Sequence, residues 1–198
     1  MYAIHTTPGF IIDSRPTGEA GKTLSIFTRD LGLVRAVAQG IRLEKSKLRY
    51  HTWDHSFGVF SFVRGKEYWR LTSASESQIS DFKTQKHIED DRREFLAKLA
   101  LILKKLLHGE EPHPELFGII EGCYEFLSCN EISEEDLKTF ESLIVLRIFH
   151  SLGYIGKDEQ LTNCLERSNV TEELLETCRD MRILMNTHIN KALKESQM

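Results

Sequence analysis

The chain has 198 residues, 40% hydrophobic and 28% charged, which is ordinary for a globular protein with one large domain or two small ones. No apolar run approaches the ~20 residues of a membrane span, and no basic segment followed by an apolar one begins the chain, so we expect no span, no signal peptide and a cytoplasmic location. Residues 1–75 hold 11 Lys/Arg and 6 Asp/Glu, whereas the remainder holds 15 basic and 24 acidic residues, which indicates different partners for the two parts.

The first 75 residues have the alternating pattern of β-strands. The turn Asp30-Leu31-Gly32 between two alternating segments predicts a hairpin. About five strands without a long helix between them favour a five-stranded OB-like barrel, although an SH3-like barrel or an open meander also fits the pattern. Trp69, which alternates with Tyr68 and Arg70, is expected in the core. The predicted strands cover residues 10–12, 24–28, 33–39, 56–63 and 68–72.

A basic loop, residues 40–50, follows the third strand. Its cations face a single acid, Glu44, and its sequence has no hydrophobic period that would indicate burial. Lys and Arg side chains that neutralise phosphates release counterions, so this loop is a candidate contact for a polyanion; a solvated charged turn is the alternative. Tyr50 is expected to be exposed, where a base could stack on its ring. The cations of the loop are Arg42, Lys45, Lys47 and Arg49, and Arg35 precedes them on the strand.

The remainder of the chain has the period of about 3.6 that is typical of helices. An apolar stripe over residues 95–107 ends at His108-Gly109, and Pro114 opens a second helix over residues 116–127. Ser133 caps a third helix that runs to residue 152, and Thr171 caps a last helix that runs towards residue 194. We therefore predict an α+β protein in two parts, with a barrel in residues 1–75, a helical bundle in residues 76–198 and a boundary in the polar segment 73–81.

No constellation of catalytic or metal-binding residues stands out. The chain has no P-loop, GxSxG or HExxH motif, and its cysteines form no CxxC pair. His51 and His55 have a spacing that metal ligands use, but a surface or base-contacting role is expected for them in a probable loop. We therefore expect no enzyme, metal, cofactor or small-molecule substrate. The four cysteines are Cys123, Cys129, Cys164 and Cys178.

Several blocks of the sequence resemble the RecO family of bacterial recombination mediators. They are residues 17–24, 26–32, 38–42 and 45–49 in the first part, and residues 114–117 and 146–154 in the helical part. The resemblance implies an OB fold followed by a helical domain, binding of single- and double-stranded DNA, strand annealing and assistance in loading RecA. It also implies RecR and the acidic tail of single-strand-binding protein as partners, and association with the bacterial nucleoid. Many members carry a zinc-binding cysteine cluster after the helix that matches residues 146–154; only Cys164 lies there, so no zinc is carried over.

Two sets of site residues follow from the charge pattern and the resemblance together. The predicted DNA contacts are Lys22, Arg35, Arg42, Lys45, Lys47, Arg49 and Tyr50. Arg147, Arg179 and Arg182 are predicted to rim an apolar groove in the helical part that takes an acidic peptide with an apolar end. Arg147 is equally compatible with a structural ion pair. The alternative function is an adaptor, in which the helical part binds protein partners and DNA contact is incidental.

Overall fold

The structure, a computed structural model, describes residues 3–77, 90–166 and 169–195. Its first part is a closed barrel in which the strands follow the order β1-β2-β3-β5-β4, with an antiparallel β1–β4 pair completing the closure and a parallel β3–β5 pair. This order confirms the predicted OB-like barrel and excludes the open meander. The strands are β1 Ile4–Thr17, β2 Gly21–Thr28, β3 Gly32–Ala38, β4 Phe57–Arg64 and β5 Trp69–Glu76.

The alternating residues fill the barrel as predicted. The hairpin of β2 and β3 sets Leu24 opposite Ala36, and both side chains are buried, whereas Arg35 points outward. Trp69 is 6% exposed, which confirms its predicted place in the core. The barrel core consists of Ile11, Leu24, Ile26, Val34, Ala36, Ala38, Ile41, Phe60, Phe62, Trp69 and Leu71.

β1 is much longer than the three residues predicted from the apolar run. Its first half, residues 4–10, pairs with β4, and its second half, from Gly9 to Thr17, pairs with β2. An irregularity in register between Ile11 and Asp13 lets the strand bend from one neighbour to the other. The sequence did not predict the full length of β1, because prolines at positions 8 and 16 and a polar second half are not typical of a strand. Its pairing is decided by partners that lie far along the chain.

The helices begin and end close to the predicted signals. The side chain of Ser133 accepts a hydrogen bond from the Asp136 amide (3.1 Å), and that of Thr171 accepts one from the Leu174 amide (3.2 Å), so both predicted caps are confirmed. Among the described residues no helix has the length and apolar character needed to cross a membrane. The helices are α1 Asp90–Leu106, α2 Pro114–Cys129, α3 Glu134–Ser151, α4 Thr162–Glu166, α5 Glu172–Asp180 and α6 Arg182–Glu195, with short 3-10 helices at Lys47–His51 and Glu159–Leu161.

The single last helix predicted from residue 171 to residue 194 is wrong. The chain forms two helices, α5 and α6, with a break at Met181, whose amide bonds the Cys178 carbonyl three residues back (3.1 Å). No Gly or Pro lies at this point, so the sequence carries no local stop signal. Both helices contact α3. The break therefore follows from packing on a shared neighbour.

The described residues fall into two compact units, and the division differs from the boundary predicted near residue 75. Leu96–Pro114 groups with the barrel, while the start of α1 groups with the residues from Glu115 onwards. This segment includes most of α1 and the connector, residues 107–113, between α1 and α2. Within it, the Gly109 carbonyl accepts a hydrogen bond from the Leu33 amide of β3 (3.2 Å). Residues 78–81 of the predicted boundary segment lie outside the described residues.

Candidate nucleic-acid interface

The basic loop is anchored to the barrel by two apolar side chains that the sequence pattern did not single out. Ile41 is 2% exposed and belongs to the barrel core, and Leu48 packs against the same core. The Thr52 hydroxyl donates a hydrogen bond to the Leu48 carbonyl (2.8 Å) at the end of the 3-10 helix Lys47–His51. Two anchors seven positions apart are too few to make a hydrophobic period, but they hold the loop against the barrel.

Backbone hydrogen bonds fix the course of the loop. The Arg42 amide donates to the Ala20 carbonyl in the turn between β1 and β2 (2.9 Å), and the Ser46 amide donates to the Leu43 carbonyl (3.0 Å). Gly40 has a φ of 67°, a left-handed conformation that lets the chain leave β3 sharply. The loop is thus tied to the strand before it and to a neighbouring turn of the same barrel.

The four cations of the basic loop are exposed. Within residues 3–77, 90–166 and 169–195, none of them forms an ion pair. Other cations of the barrel unit are paired: Lys104 contacts Asp13 at 2.9 Å, and Arg64 contacts Glu110 at 2.5 Å. The cations of the loop are therefore available to an external anion, as phosphate contacts require.

Exposed apolar side chains lie within this run of cations and just after it. Tyr50 is 67% exposed, which confirms its predicted exposure, and Trp53 is 53% exposed. Leu43 is exposed as well, although the sequence pattern did not single it out. The sequence signal for the exposure of Trp53 was its polar neighbours on both sides, because a core tryptophan is expected within an alternating strand. Bases of a single strand can stack on exposed aromatic rings, and its phosphate backbone can contact neighbouring cations. The exposed rings and the cations without an ion pair among the described residues therefore suit a single strand.

A pocket of about 380 Å³ lies on the outer face of the barrel, next to the basic loop. The turn between β1 and β2, the end of β3 and the turn before β5 surround it, and this face with these two turns is where OB folds bind oligonucleotides. Tyr68 forms one wall, and the Arg70 guanidinium carbon lies 6.0 Å from the centroid of the Tyr68 ring. The pocket is lined by Thr17, Ala20, Gly21, Val37, Gln39, Gly40 and Tyr68.

The structure adds Tyr68 and Arg70 to the predicted site and places two predicted residues on different faces. Arg35 is exposed on the outer face of β3, and Arg70 is paired in register with Val37, on that same face. Lys22 is opposite Ala38, on the face of β2 that also carries the core residue Leu24. Its Nζ lies 3.4 Å from the Ser14 hydroxyl. Whether each residue binds DNA stays a prediction. The alternation of Tyr68 and Arg70 around a buried tryptophan was the signal for the missed pair.

The second compact unit, which contains the start of α1 and the residues from Glu115 onwards, is called the helical unit here. Arg147 in this unit does not lie where the sequence pattern placed it. Its side chain is 4% exposed, and its Nε donates to the Cys164 carbonyl at 2.7 Å, so it is no part of the rim of an exposed groove. The residue lies on the face of α3 that the other helices cover, which its position in the helix alone did not reveal. It has no ion pair among the described residues, so its structural partner is a carbonyl.

Arg179 and Arg182 are accessible. Arg179 contacts Asp136 at 2.5 Å, and hydrogen bonds from Ser133 and Arg179 hold the pKa of that carboxyl below its usual value. Arg182 is half-exposed at the start of α6. Their predicted role in binding a partner stays a prediction.

The described residues contain no group of three or more His, Cys, Asp or Glu side chains that could hold a metal ion. His51 and His55 are both half-buried, and burial lowers the pKa of His55, which favours its neutral form. The absence of a resident metal stays a prediction.

Comparison with known proteins agrees with this architecture. OB barrels are a class of oligonucleotide- and oligosaccharide-binding domains. Residues 1–78 match the family model described as "Recombination protein O N terminal". A protein named "DNA repair protein RecO" from Cyanothece sp. is 31% identical over 177 residues, which cover 87% of this chain and 57% of that relative. Proteins of the same name from Rubrobacter xylanophilus and Dehalococcoides mccartyi are 29% and 25% identical, over 82% and 93% of this chain and 62% and 74% of their own lengths.

The chain belongs to the RecO family of DNA repair proteins, which confirms the resemblance seen in its sequence. It spans about three-fifths of the length of the first relatives that it matches.

Proposed function

We infer that this protein binds single- and double-stranded DNA through the basic loop and the outer face of β3 and β5, and that it anneals complementary strands in recombinational repair. The observation that carries this proposal is a set of four exposed cations that form no ion pair among the described residues, on a loop that is anchored beside the OB pocket. Family membership supports it, because the relatives are named as DNA repair proteins.

The arrangement of charges and rings fits annealing. Phosphate contacts hold a backbone without reading its sequence, so the base edges of the bound strand remain free to pair with a second strand. Tyr50, Trp53 and Tyr68 offer ring faces on which unpaired bases can stack. Annealing forms and breaks no covalent bond. The protein therefore needs no catalytic residue, cofactor or small-molecule substrate for this role, and we propose that it is not an enzyme.

The test is a titration of fluorescent single-stranded and duplex oligonucleotides with the full chain at two salt concentrations, together with an annealing assay. We expect binding to both, weakening steeply with salt, and faster annealing of complementary strands. Binding to neither at low salt would overturn the proposal and favour the adaptor function. Elemental analysis of the same preparation tests the expected absence of zinc.

The helical unit supports the adaptor role as a second function. Ile183 is 82% exposed and follows the half-exposed Arg182 at the start of α6, and Arg179 lies at the end of α5. An apolar side chain beside cations suits an acidic peptide with an apolar end, such as the tail of single-strand-binding protein. We propose RecR as a further partner, and we assign assistance in RecA loading to the DNA-binding function proposed above.

Calorimetry with that peptide should give heat with the wild type and much less with Arg182→Glu. Equal heat with both proteins would remove this surface as the docking site.

A further inference from the structure

Two buried thiols lie side by side in the helical unit. Cys164 of α4 and Cys178 of α5 are fully buried, and their Sγ atoms are 2.6 Å apart. The Met181 sulfur lies 4.0 Å from that of Cys164. The two cysteines are fourteen positions apart in the chain, so only the packing of α4 and α5 brings them together. Two cysteines this close need little backbone movement to become bonded.

A buried guanidinium accompanies this pair. Arg147 of α3 donates from Nε to the Cys164 carbonyl, while its Nη2 is buried without a hydrogen-bond partner among the described residues. A buried cation is costly unless an anion or hydrogen bonds compensate it. The described residues supply no carboxylate for Arg147, and a thiolate of the pair would provide the missing negative charge. The hydrogen bond from Cys178 and the charge of Arg147 lower the pKa of Cys164 against the opposing effect of burial.

The other two cysteines lack this environment. Both lie on α2, where burial raises the pKa of Cys123 well above its usual value, and Cys129 is exposed. Neither has a sulfur neighbour in the part of the chain that the structure describes. The reactivity of the paired thiols beside Arg147 can therefore be compared, within one protein, with that of two cysteines that lack a sulfur neighbour.

We propose that Cys164 and Cys178 form a reversible redox pair that closes a disulfide between α4 and α5 when the protein meets a peroxide. One thiolate attacks an oxygen of hydrogen peroxide, which breaks the O–O bond, leaves a sulfenic acid on sulfur and releases hydroxide that takes up a proton as water. The second thiol then attacks the sulfenic sulfur, the S–S bond forms, and the sulfenic hydroxyl leaves with a proton as a second water. The two sulfurs lose two electrons in total, and one peroxide is reduced to two waters.

The disulfide changes both the connectivity and the charge of the helical unit. It closes the segment between positions 164 and 178, which constrains the unfolded chain and raises resistance to denaturant. It also removes the thiolate that accompanies Arg147. A small thiol such as dithiothreitol reverses the change by exchange through a mixed disulfide.

The experiment uses the full chain, reduced, freed of reductant and exposed to graded hydrogen peroxide. Remaining thiols are then alkylated in denaturant, and the peptides are identified by mass. We expect a cross-linked peptide pair that contains Cys164 and Cys178, lighter by two hydrogen atoms and restored by dithiothreitol, while Cys123 and Cys129 are alkylated. The denaturation midpoint should rise on oxidation.

Variants separate the pair from general thiol oxidation. Cys129→Ser should form the same cross-link, whereas Cys178→Ser should form none and show no rise in midpoint on oxidation. Arg147→Met should slow cross-linking severalfold, and Arg182→Met, which removes a half-exposed arginine of the same unit, should leave the rate unchanged. An unchanged rate in a folded Arg147→Met protein would remove the role of the guanidinium.

A measurement on the wild type alone guards against variants that do not fold. Peroxide should produce the Cys164–Cys178 pair faster in the native protein than in urea, where mixed pairs should form instead. The proposal is overturned if both thiols survive a peroxide dose that oxidises Cys129, or if native and unfolded chains give the same mixture of products.

Discussion

Two segments that pack on the same barrel differ in whether their charged side chains are paired. The basic loop between β3 and β4 exposes four cations without ion-pair partners among the described residues. The connector between α1 and α2 supplies Glu110, which accepts two hydrogen bonds from Arg64 (2.7 and 2.5 Å) and one from the Trp69 indole (3.0 Å). The Arg64 guanidinium carbon also lies 4.8 Å from the centroid of the Trp69 ring.

The difference separates cations that are paired within the fold from cations that form no ion pair among the described residues. A cation that is paired and packed on an aromatic ring is committed within the chain, whereas exposed loop cations contribute little to stability and remain free for an anion. Substitutions in the basic loop should therefore change DNA affinity without changing stability. Substitutions at the connector should do the reverse.

The largest expected effect is on DNA binding, from replacing Arg42, Lys45, Lys47 and Arg49 together by Ala. The slope of log affinity against log salt for a single strand should fall by about 0.7 for each lost phosphate contact, or about 2.8 for four. Affinity should weaken uniformly across sequences, because phosphate contacts carry no base information. The measurement is a salt series on one oligonucleotide, with wild type and variant side by side.

The control for this variant is its stability. Its urea midpoint should match that of the wild type, because each exposed charge contributes no more than about 0.5 kcal/mol. A drop near one unit of slope would mean that most of the loop faces solvent in the complex, and an unchanged slope would identify the cluster as a solvated turn.

The next effect concerns the place where the connector meets the barrel, and it is tested by Gly32→Ala. Gly32 has a φ of 67°, and a Cβ there would lie against the Glu111 carbonyl oxygen and 2.6 Å from the Glu111 backbone nitrogen and carbonyl carbon. The left-handed conformation costs ~1–2 kcal/mol for a residue with a Cβ. Backbone overlap should add about 1–3 kcal/mol.

Gly18→Ala is the matched control, because Gly18 has a φ of 60° and nothing lies within 4 Å of the position that a Cβ would take, so only the conformational cost applies. Urea unfolding of both variants gives the difference. If the two variants lose equal stability, the close approach of the connector to β3 does not exist in solution.

A third effect concerns the aromatic wall of the pocket. Tyr68→Leu should weaken binding of single strands by about 1–3 kcal/mol, the value of one stacked base, while Tyr68→Phe should bind like the wild type because it keeps the ring face. Fluorescence anisotropy with one short oligonucleotide measures both. If Tyr68→Phe loses as much affinity as Tyr68→Leu, the hydroxyl is the contact and stacking is excluded.

The smallest effect is at the paired charge of the connector. The hydrogen bond from Arg64 is the main cause that holds the pKa of Glu110 below its usual value. A carboxyl with a depressed folded pKa stabilises the protein above its unfolded pKa of about 4.3, and this contribution is lost as the pH falls through the folded value. Glu110→Gln should therefore lower stability at pH 7 by ~0.2–1 kcal/mol, because the pair is half-exposed.

The loss should vanish in acid, where the wild-type carboxyl is also neutral. Urea midpoints at neutral and acidic pH, with the adjacent Glu111→Gln as control, measure it. A difference between Glu110→Gln and wild type that persists unchanged in acid would show that the carboxylate charge plays no part. DNA affinity should be the same for all three proteins, which keeps this charge apart from those of the basic loop.

The sequence by itself determined the local features of this protein. Alternation predicted the β2–β3 hairpin with Leu24 and Ala36 inside and Arg35 outside, and Ser133 and Thr171 predicted the helix starts. These signals work because side-chain direction and capping depend on residues a few positions apart. The density of cations in residues 40–50 was likewise readable without coordinates, since exposure is the default for such a run.

Only the tertiary structure decided the features that join distant residues. The parallel pairing of β3 with β5 places Arg70 beside Val37 and so completes the pocket with Tyr68. Packing on α3 divides α5 from α6 and buries Arg147 against Cys164. In each case the partner lies far along the chain, and the free energy comes from burial and hydrogen bonds that exist only after the chain has folded, so no local pattern records them.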